Sequence, residues 1–138
     1  MMQAKKMQQL IYKIMIDAKG QDISVLDVRR LTDITDYMII ASGTSTRHVN
    51  GIARKLIDRM RELSYKPLGV EGEDTGEWVL IDFGDVVAHV MQPQTRDFYS
   101  LEKLWSEDMG AQNEADLDQN RQEADLKMIK VRRRPARK

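Results

Sequence analysis

The acidic residues Asp82 and Asp85 have the clearest potential for chemistry, because they lie three positions apart between two apolar runs. With Asp36 or Glu77 they could bind Mg²⁺ for phosphoryl transfer, since carboxylate oxygens are the ligands this cation prefers. The same two aspartates also flank Gly84, and Asp beside Gly is favoured in a tight hairpin turn. We favour the turn, so the sequence predicts no metal site.

The two histidines show no spacing that is typical of a catalytic triad. His89 lies within an apolar run and His48 at the start of a helical pattern. A lone histidine is more often a hydrogen-bonded packing residue than a base. The chain has no cysteine, which excludes disulfide scaffolds, zinc ribbons and cysteine nucleophiles. We therefore predict no catalytic residue, no cofactor and no enzymatic activity.

The segment from Ser42 to Ser45 lies between an apolar run and the start of a helical pattern. Free backbone N–H groups and the helix dipole favour an anion at such a position, so this segment is a candidate phosphate site. Phosphate-binding loops usually carry more glycines or a lysine, and this segment has only Gly43. Helix capping by Thr44, Ser45 or Thr46 is the preferred interpretation.

Hydrophobic periodicity indicates the elements that position these residues. Helices are predicted over residues 7–18, 49–63 and 96–105. Strands are predicted over residues 23–28, 36–41, 67–72, 77–83 and 86–91, with the first two as neighbouring central strands. In the last helix, Phe98 and Leu101 are expected on the apolar side. The order of elements predicts an α/β (α+β) single domain with a five-stranded mixed sheet flanked by helices.

Charge divides the chain of 138 residues into three regions. Residues 1–105 carry a net charge of −1, residues 106–126 carry −6, and residues 127–138 carry +7. A near-neutral body disfavours duplex nucleic acid and favours a protein partner. We predict a domain over residues 1–105 and a charged, flexible tail over residues 106–138, whose basic end either contacts RNA or folds back on the acidic stretch.

The amino-terminal residues combine several lysines with a periodic apolar pattern, and they contain neither an unbroken apolar core nor a small-residue cleavage site. This composition favours a cytoplasmic protein without a membrane partner.

Six residues are predicted to form a protein-binding surface. Trp78 and Leu80 share one face of a strand, and they form an exposed pair if that face points outward. The alternative is that both belong to the core. In the last helix, a polar and aromatic strip has spacings of three and four, and tryptophan, tyrosine and arginine are common interface anchors. This strip consists of Arg96, Tyr99, Glu102 and Lys103. A solvated helix face is the alternative.

Four segments, read in order along the chain, carry a family resemblance. They contain KGQDI with LDV, TDYMIIASGTS with RHV, VEG and EWVLID with GDVV and HV, and RDFY with LEKLW. Together these segments resemble the ribosomal silencing factor (RsfS) family, also called the Iojap family, and the resemblance spans about residues 7–105. The tail lies outside the family pattern.

The resemblance implies a non-enzymatic factor that binds the large ribosomal subunit through ribosomal protein L14. Such a factor blocks joining of the small subunit and represses translation when nutrients are scarce. It also implies a fold related to nucleotidyltransferases, a homodimer, and an interaction surface on the Trp78–Leu80 strand and the Arg96–Lys103 helix face. The tail's basic end is a candidate for rRNA contact. The alternative function is a nucleotide-binding protein or nucleotidyltransferase-like enzyme, based on the loop at Gly43.

Overall fold

A computed structural model describes residues 2–104 and residue 127. The helices are α1 (Ala4–Asp17), α2 (Thr46–Glu62), α3 (Pro93–Tyr99) and α4 (Leu101–Leu104). The strands are β1 (Gln21–Asp27), β2 (Tyr37–Ser42), β3 (Gly69–Glu71), β4 (Trp78–Asp82) and β5 (Val86–Met91). This order confirms the predicted succession of elements, except that the last helix is divided in two.

The strands form one sheet in the order β1-β2-β5-β4-β3. Strands β2 and β5 are parallel neighbours in the interior of the sheet, from Tyr37 opposite Val86 to Ser42 opposite Met91. The other neighbouring strands are antiparallel. The predicted five-stranded mixed sheet is therefore confirmed. Every residue of β2, β4 and β5 is buried, which explains their nearly continuous apolar sequences.

Strand β1 lies at an edge of the sheet, so its predicted central position is wrong. Its residues are half-buried or exposed along the whole strand. The polar residues Gln21, Asp22 and Asp27 are all exposed there, as is usual for an edge strand that must avoid pairing with another chain.

The two faces of the sheet are covered differently. Helices α1 and α2 pack on the first face and bury the larger core, which includes Ile11, Ile39 and Leu56. On the second face, Met38 and Leu80 pack in a smaller cluster with Leu101 of α4. The second face thus depends on short elements for its cover.

Ser100 interrupts the helix that was predicted over residues 96–105. Its φ of 50° is left-handed, its backbone N–H donates to the Arg96 carbonyl at 2.8 Å, and its hydroxyl donates to the Asp97 carbonyl at 2.8 Å. The interruption rotates the side chains before Ser100 relative to those after it, compared with a continuous helix. Leu101 is buried as expected, but Phe98 is 69% exposed, so its predicted place on the apolar side is wrong.

The predicted flexible tail over residues 106–138 lies outside the described residues, apart from Lys127, and so does Trp105. None of the helices within the described ranges combines the length and the apolar character that crossing a membrane requires.

Candidate interaction surface

Four aromatic side chains form a continuous row from the surface to the second face of the sheet. The ring of Phe98 meets that of Tyr99 edge-on, with the centroids 5.0 Å apart. Tyr99 packs on Trp78 with a centroid distance of 4.7 Å, and Trp78 lies 5.9 Å from the ring of His89. We call Phe98, Tyr99, Trp78 and His89 the aromatic row. Its outer end is exposed and its inner end is buried.

Trp78 and Leu80 do not form the exposed pair that was considered from the sequence. Trp78 is 6% exposed and Leu80 is fully buried. Both side chains belong to the buried cluster on the second face, together with Val28 and Leu101. The exposed-pair interpretation is therefore wrong, and the core alternative is confirmed for both side chains.

Arg96 anchors α3 and α4 to the sheet and lies mostly inside the protein, at 9% exposed. Its guanidinium donates to the Glu102 carboxylate at 2.7 Å, to the Ser42 hydroxyl at 2.8 Å and to the Ser24 hydroxyl at 3.2 Å. Ser24 in turn donates to the other Glu102 oxygen at 2.8 Å. The predicted polar strip is consequently divided: Arg96 and Glu102 face this network, Tyr99 belongs to the row, and Lys103 is exposed.

The ionisation of Glu102 follows from this network. Burial favours the neutral carboxyl, but the hydrogen bonds from Arg96 and Ser24 and the charge of Arg96 outweigh it. The pKa of Glu102 therefore lies below its usual value. Ser24 and Ser42 were not predicted from the sequence, because single serines in strands give no signal of a shared arginine partner.

His89 is held in one neutral tautomer. The indole Nε1–H of Trp78 donates to His89 Nδ1 at 3.0 Å, and since this indole nitrogen can only donate, Nδ1 carries no proton. The proton lies on Nε2, which is buried and has no hydrogen-bond partner among the residues that the structure describes. Burial lowers the pKa of His89 to about 3, with a further contribution from the charge of Lys127. A packing role fits this geometry better than a catalytic base.

The Gly43 loop is closed by the helix that follows it. His48 Nδ1 accepts from the Thr44 N–H at 2.9 Å, and the Ser45 hydroxyl accepts from the His48 N–H at 3.1 Å. Gly43 packs against Val49 so closely that a Cβ atom would lie 2.8 Å from its side chain. Side chains thus occupy N–H groups that an anion would need, and the observed geometry is that of capping.

The carboxylate of Asp82 takes part in the hairpin turn. Asp82 is fully buried and its carboxylate accepts from the Gly84 N–H at 2.8 Å. Gly84 has a φ of 92°, as predicted for the turn, and the Phe83 N–H donates to the Val86 carbonyl at 2.9 Å. Within the described part of the chain, no group of three histidine, cysteine or acidic side chains could hold a metal ion.

These features define a small α+β domain with a partly exposed aromatic surface. The family model described as "Ribosomal silencing factor during starvation" matches residues 1–138. The chain therefore belongs to the ribosomal silencing factor (RsfS) family, which confirms the family predicted from the four segments.

Individual relatives agree with this assignment. "Ribosomal silencing factor RsfS" of Chromobacterium violaceum is 41% identical over 104 residues, which are 75% of this chain and 85% of that protein. "Mitochondrial assembly of ribosomal large subunit protein 1" of Mus musculus is 36% identical over 70% of this chain and 44% of that protein. A crystal structure of a Chromobacterium violaceum protein superposes with a TM-score of 0.74 at 39% identity, covering 83% of this chain and 97% of that one.

Proposed function

We propose that the protein binds the large ribosomal subunit through ribosomal protein L14, prevents the small subunit from joining, and so represses translation under nutrient limitation. Membership of the RsfS family supports a regulatory role, and the name of the mouse relative refers to the large ribosomal subunit. The proposed mechanism is steric, so it requires a rigid body with one specific surface and no catalytic group. We place this protein in the cytoplasm.

The aromatic row is the observation that supports this proposal. We expect its exposed end, Phe98, to be the anchor, the residue that contributes most to binding. A large aromatic side chain on the surface is costly to leave in water and is a common centre of a protein interface. Phe98 packs against Tyr99, which packs against Trp78, and the hydrogen bond to His89 fixes the indole. A rigid anchor loses little conformational freedom on binding, which favours affinity.

The remaining predicted surface residues have different roles in this proposal. Tyr99 and Trp78 support the anchor from below, and Leu80 supports the indole from the core. Arg96 and Glu102 hold α3 and α4 in place through the network with Ser24 and Ser42. Lys103 is exposed beside the row and is expected to contribute a charge at the rim of the interface.

Replacement of Phe98 by alanine tests the proposal. Because the side chain is 69% exposed and its contact with Tyr99 is edge-on, Phe98→Ala should lower the free energy of unfolding by no more than about 1 kcal/mol. If Phe98 is an anchor, binding to purified large subunits should weaken by about 2 kcal/mol, or roughly thirtyfold. Binding is measured by co-sedimentation, and inhibition of subunit joining is measured with the same proteins.

The matched control is Leu68→Ala, which removes another exposed apolar side chain, 61% accessible, next to the edge strand β3. The control should bind and inhibit joining like the unmodified protein. Equal binding by Phe98→Ala and the unmodified protein would contradict the anchor role. Absence of large-subunit binding by the unmodified protein would contradict the proposed function itself. Homodimerisation and rRNA contact by the basic end stay predictions.

A further inference from the structure

Helices α1 and α2 lie side by side on the first face of the sheet. The backbone N–H of Met2, before α1, donates to the hydroxyl of Tyr65, which follows α2, at 2.8 Å. At the other end, Lys55 of α2 donates to the carbonyl of Asp17, the last residue of α1, at 3.2 Å. The two helices are therefore antiparallel neighbours. Their apolar sides pack on the sheet, so their polar sides face outward.

Charge is distributed unevenly over residues 1–105, although their sum is only −1. Residues 1–20 and 46–66, which contain α1 and α2, hold ten basic and three acidic residues, a net charge of +7. The remaining residues up to 105 hold four basic and twelve acidic residues, a net charge of −8. The fold thus collects basic side chains on the helical face of a body that is nearly neutral in sum.

The basic side chains of the two helices form rows. Residues seven apart lie on nearly the same side of a helix, and a helix rises about 1.5 Å per residue, so the three arginines of α2 at this spacing form a row about 21 Å long. Two lysines of α1 have the same spacing, and packed helices have axes about 8–10 Å apart. With one further arginine of α2, these exposed residues are called the basic surface: Lys6, Lys13, Arg47, Arg54, Arg59 and Arg61.

The chemistry of this surface suits phosphate groups. A guanidinium presents a planar fork of N–H donors that matches the oxygens of a phosphate, and four of the six residues are arginines. Arg54 has an acidic neighbour, since its Nη2 lies 3.9 Å from Glu73 Oε2, but both side chains are more than half exposed and water weakens the pair. Positive charges repeated along a rigid helix are the electrostatic signature of a surface that binds nucleic acid.

We propose that the basic surface binds the phosphate backbone of structured RNA, without reading its bases. The surface lies on the first face of the sheet and the buried part of the aromatic row on the second, so a protein at the row and an RNA at the helices can be bound together. The identification of this RNA as rRNA of the large subunit rests on the proposed function, whereas RNA binding itself does not.

The double variant Arg47→Gln/Arg61→Gln in the full chain tests the proposal, because it removes both ends of the arginine row and glutamine keeps a high helix propensity. The matched control is Arg29→Gln/Arg30→Gln, which removes an equal charge from exposed residues after β1. Both variants keep residues 105–138, so any RNA contact made there is common to them.

Affinity for an RNA hairpin is measured by fluorescence anisotropy over a series of salt concentrations. Each phosphate contact contributes about 0.7–0.9 to the slope of log affinity against log salt. The slope should therefore flatten by about 1.5 in Arg47→Gln/Arg61→Gln, and the affinity at about 0.1 M salt should fall by about thirtyfold. The control should lose about threefold at most, because its charges act only through screened, long-range attraction.

Equal losses in the two double variants overturn the assignment to α2, and absence of RNA binding by the unmodified chain at about 50 mM salt overturns the proposal as a whole. Polyglutamate that binds as tightly as the hairpin, with the same loss in the α2 variant, overturns the preference for phosphate and indicates an acidic protein instead. RNA binding with the expected losses, but no binding of the unmodified chain to large subunits, supports the basic surface and contradicts the proposed function.

Discussion

Acidification should destabilise this protein through His89, well above the pH at which most carboxylates titrate. The imidazole is completely buried, and its folded-state pKa is lowered to about 3 from 6.5, chiefly by burial. In the folded protein the Trp78 indole N–H donates to His89 Nδ1. Protonation of Nδ1 would place its new hydrogen against that of the indole N–H. Uptake of a proton therefore requires loss of this hydrogen bond as well as burial of a charge.

The sign of the effect follows from proton binding in the two states. Between pH 6.5 and about pH 3, the unfolded chain binds a proton at this histidine and the folded chain does not. The stabilising contribution is fully present above pH 6.5 and is lost as the pH falls toward 3. Each unit in this window costs about 1.4 kcal/mol, so a change from pH 7.5 to pH 5.0 should cost about 2 kcal/mol.

Urea unfolding at pH 7.5 and pH 5.0, at equal ionic strength, measures this loss. His89→Asn is the reference variant, because its amide oxygen can accept from the Trp78 indole and does not titrate. We expect the unmodified protein to lose about 2 kcal/mol more than His89→Asn. An equal pH dependence in the unmodified protein and His89→Asn would refute this reasoning.

Two further predictions concern stability. Gly72→Ala should lower the free energy of unfolding by at least about 2 kcal/mol, because φ is positive there and the new Cβ would meet the Trp78 carbonyl. Gly51→Ala should raise the free energy of unfolding by up to about 1 kcal/mol, because Gly51 lies in α2 where a Cβ atom meets nothing and alanine favours the helix. Equal thermal stability of the two variants would contradict this argument. Arg96→Ala should cost about 2 kcal/mol by removing the hydrogen bonds to Ser42 and Ser24 and the ion pair with Glu102, whose side chain is 40% exposed, whereas the exposed Arg47→Ala should cost almost nothing. Similar urea midpoints for these two arginine variants would show that the network contributes little.

Much of the fold could be predicted because local signals agreed with one another. Strand β2 is apolar from Tyr37 to Ala41, and Gly84 beside Asp85 indicated the hairpin between β4 and β5. The place of β1 could not be predicted in the same way. Strand order depends on which backbones pair across the chain, and a short run of alternating residues is compatible with an inner or an outer position. The exposed polar residues of β1 were the available hint.

The site was predicted less well than the fold, and Ser100 explains most of the difference. Periodicity assumes a continuous helix, but the left-handed backbone at Ser100 rotates the residues before it relative to those after it. Phe98 therefore points outward and Leu101 inward, although both were placed on one apolar side. A serine with positive φ carries little sequence signal, because this conformation is usually assigned to glycine or asparagine. Arg96, placed on the polar and aromatic strip of the predicted protein-binding surface, is buried for the same reason.

The position of β5 between β2 and β4 has a consequence for synthesis of the chain. Tyr37 pairs with Val86, so the centre of the sheet joins segments that leave the ribosome far apart in time. A nascent chain that ends before Val86 has β2, a strand that is apolar except at Ser42, with one edge unpaired. Such an edge invites pairing with another chain. The sheet therefore cannot be built as two independent halves, and translation must pass Met91 before this protein has a closed core.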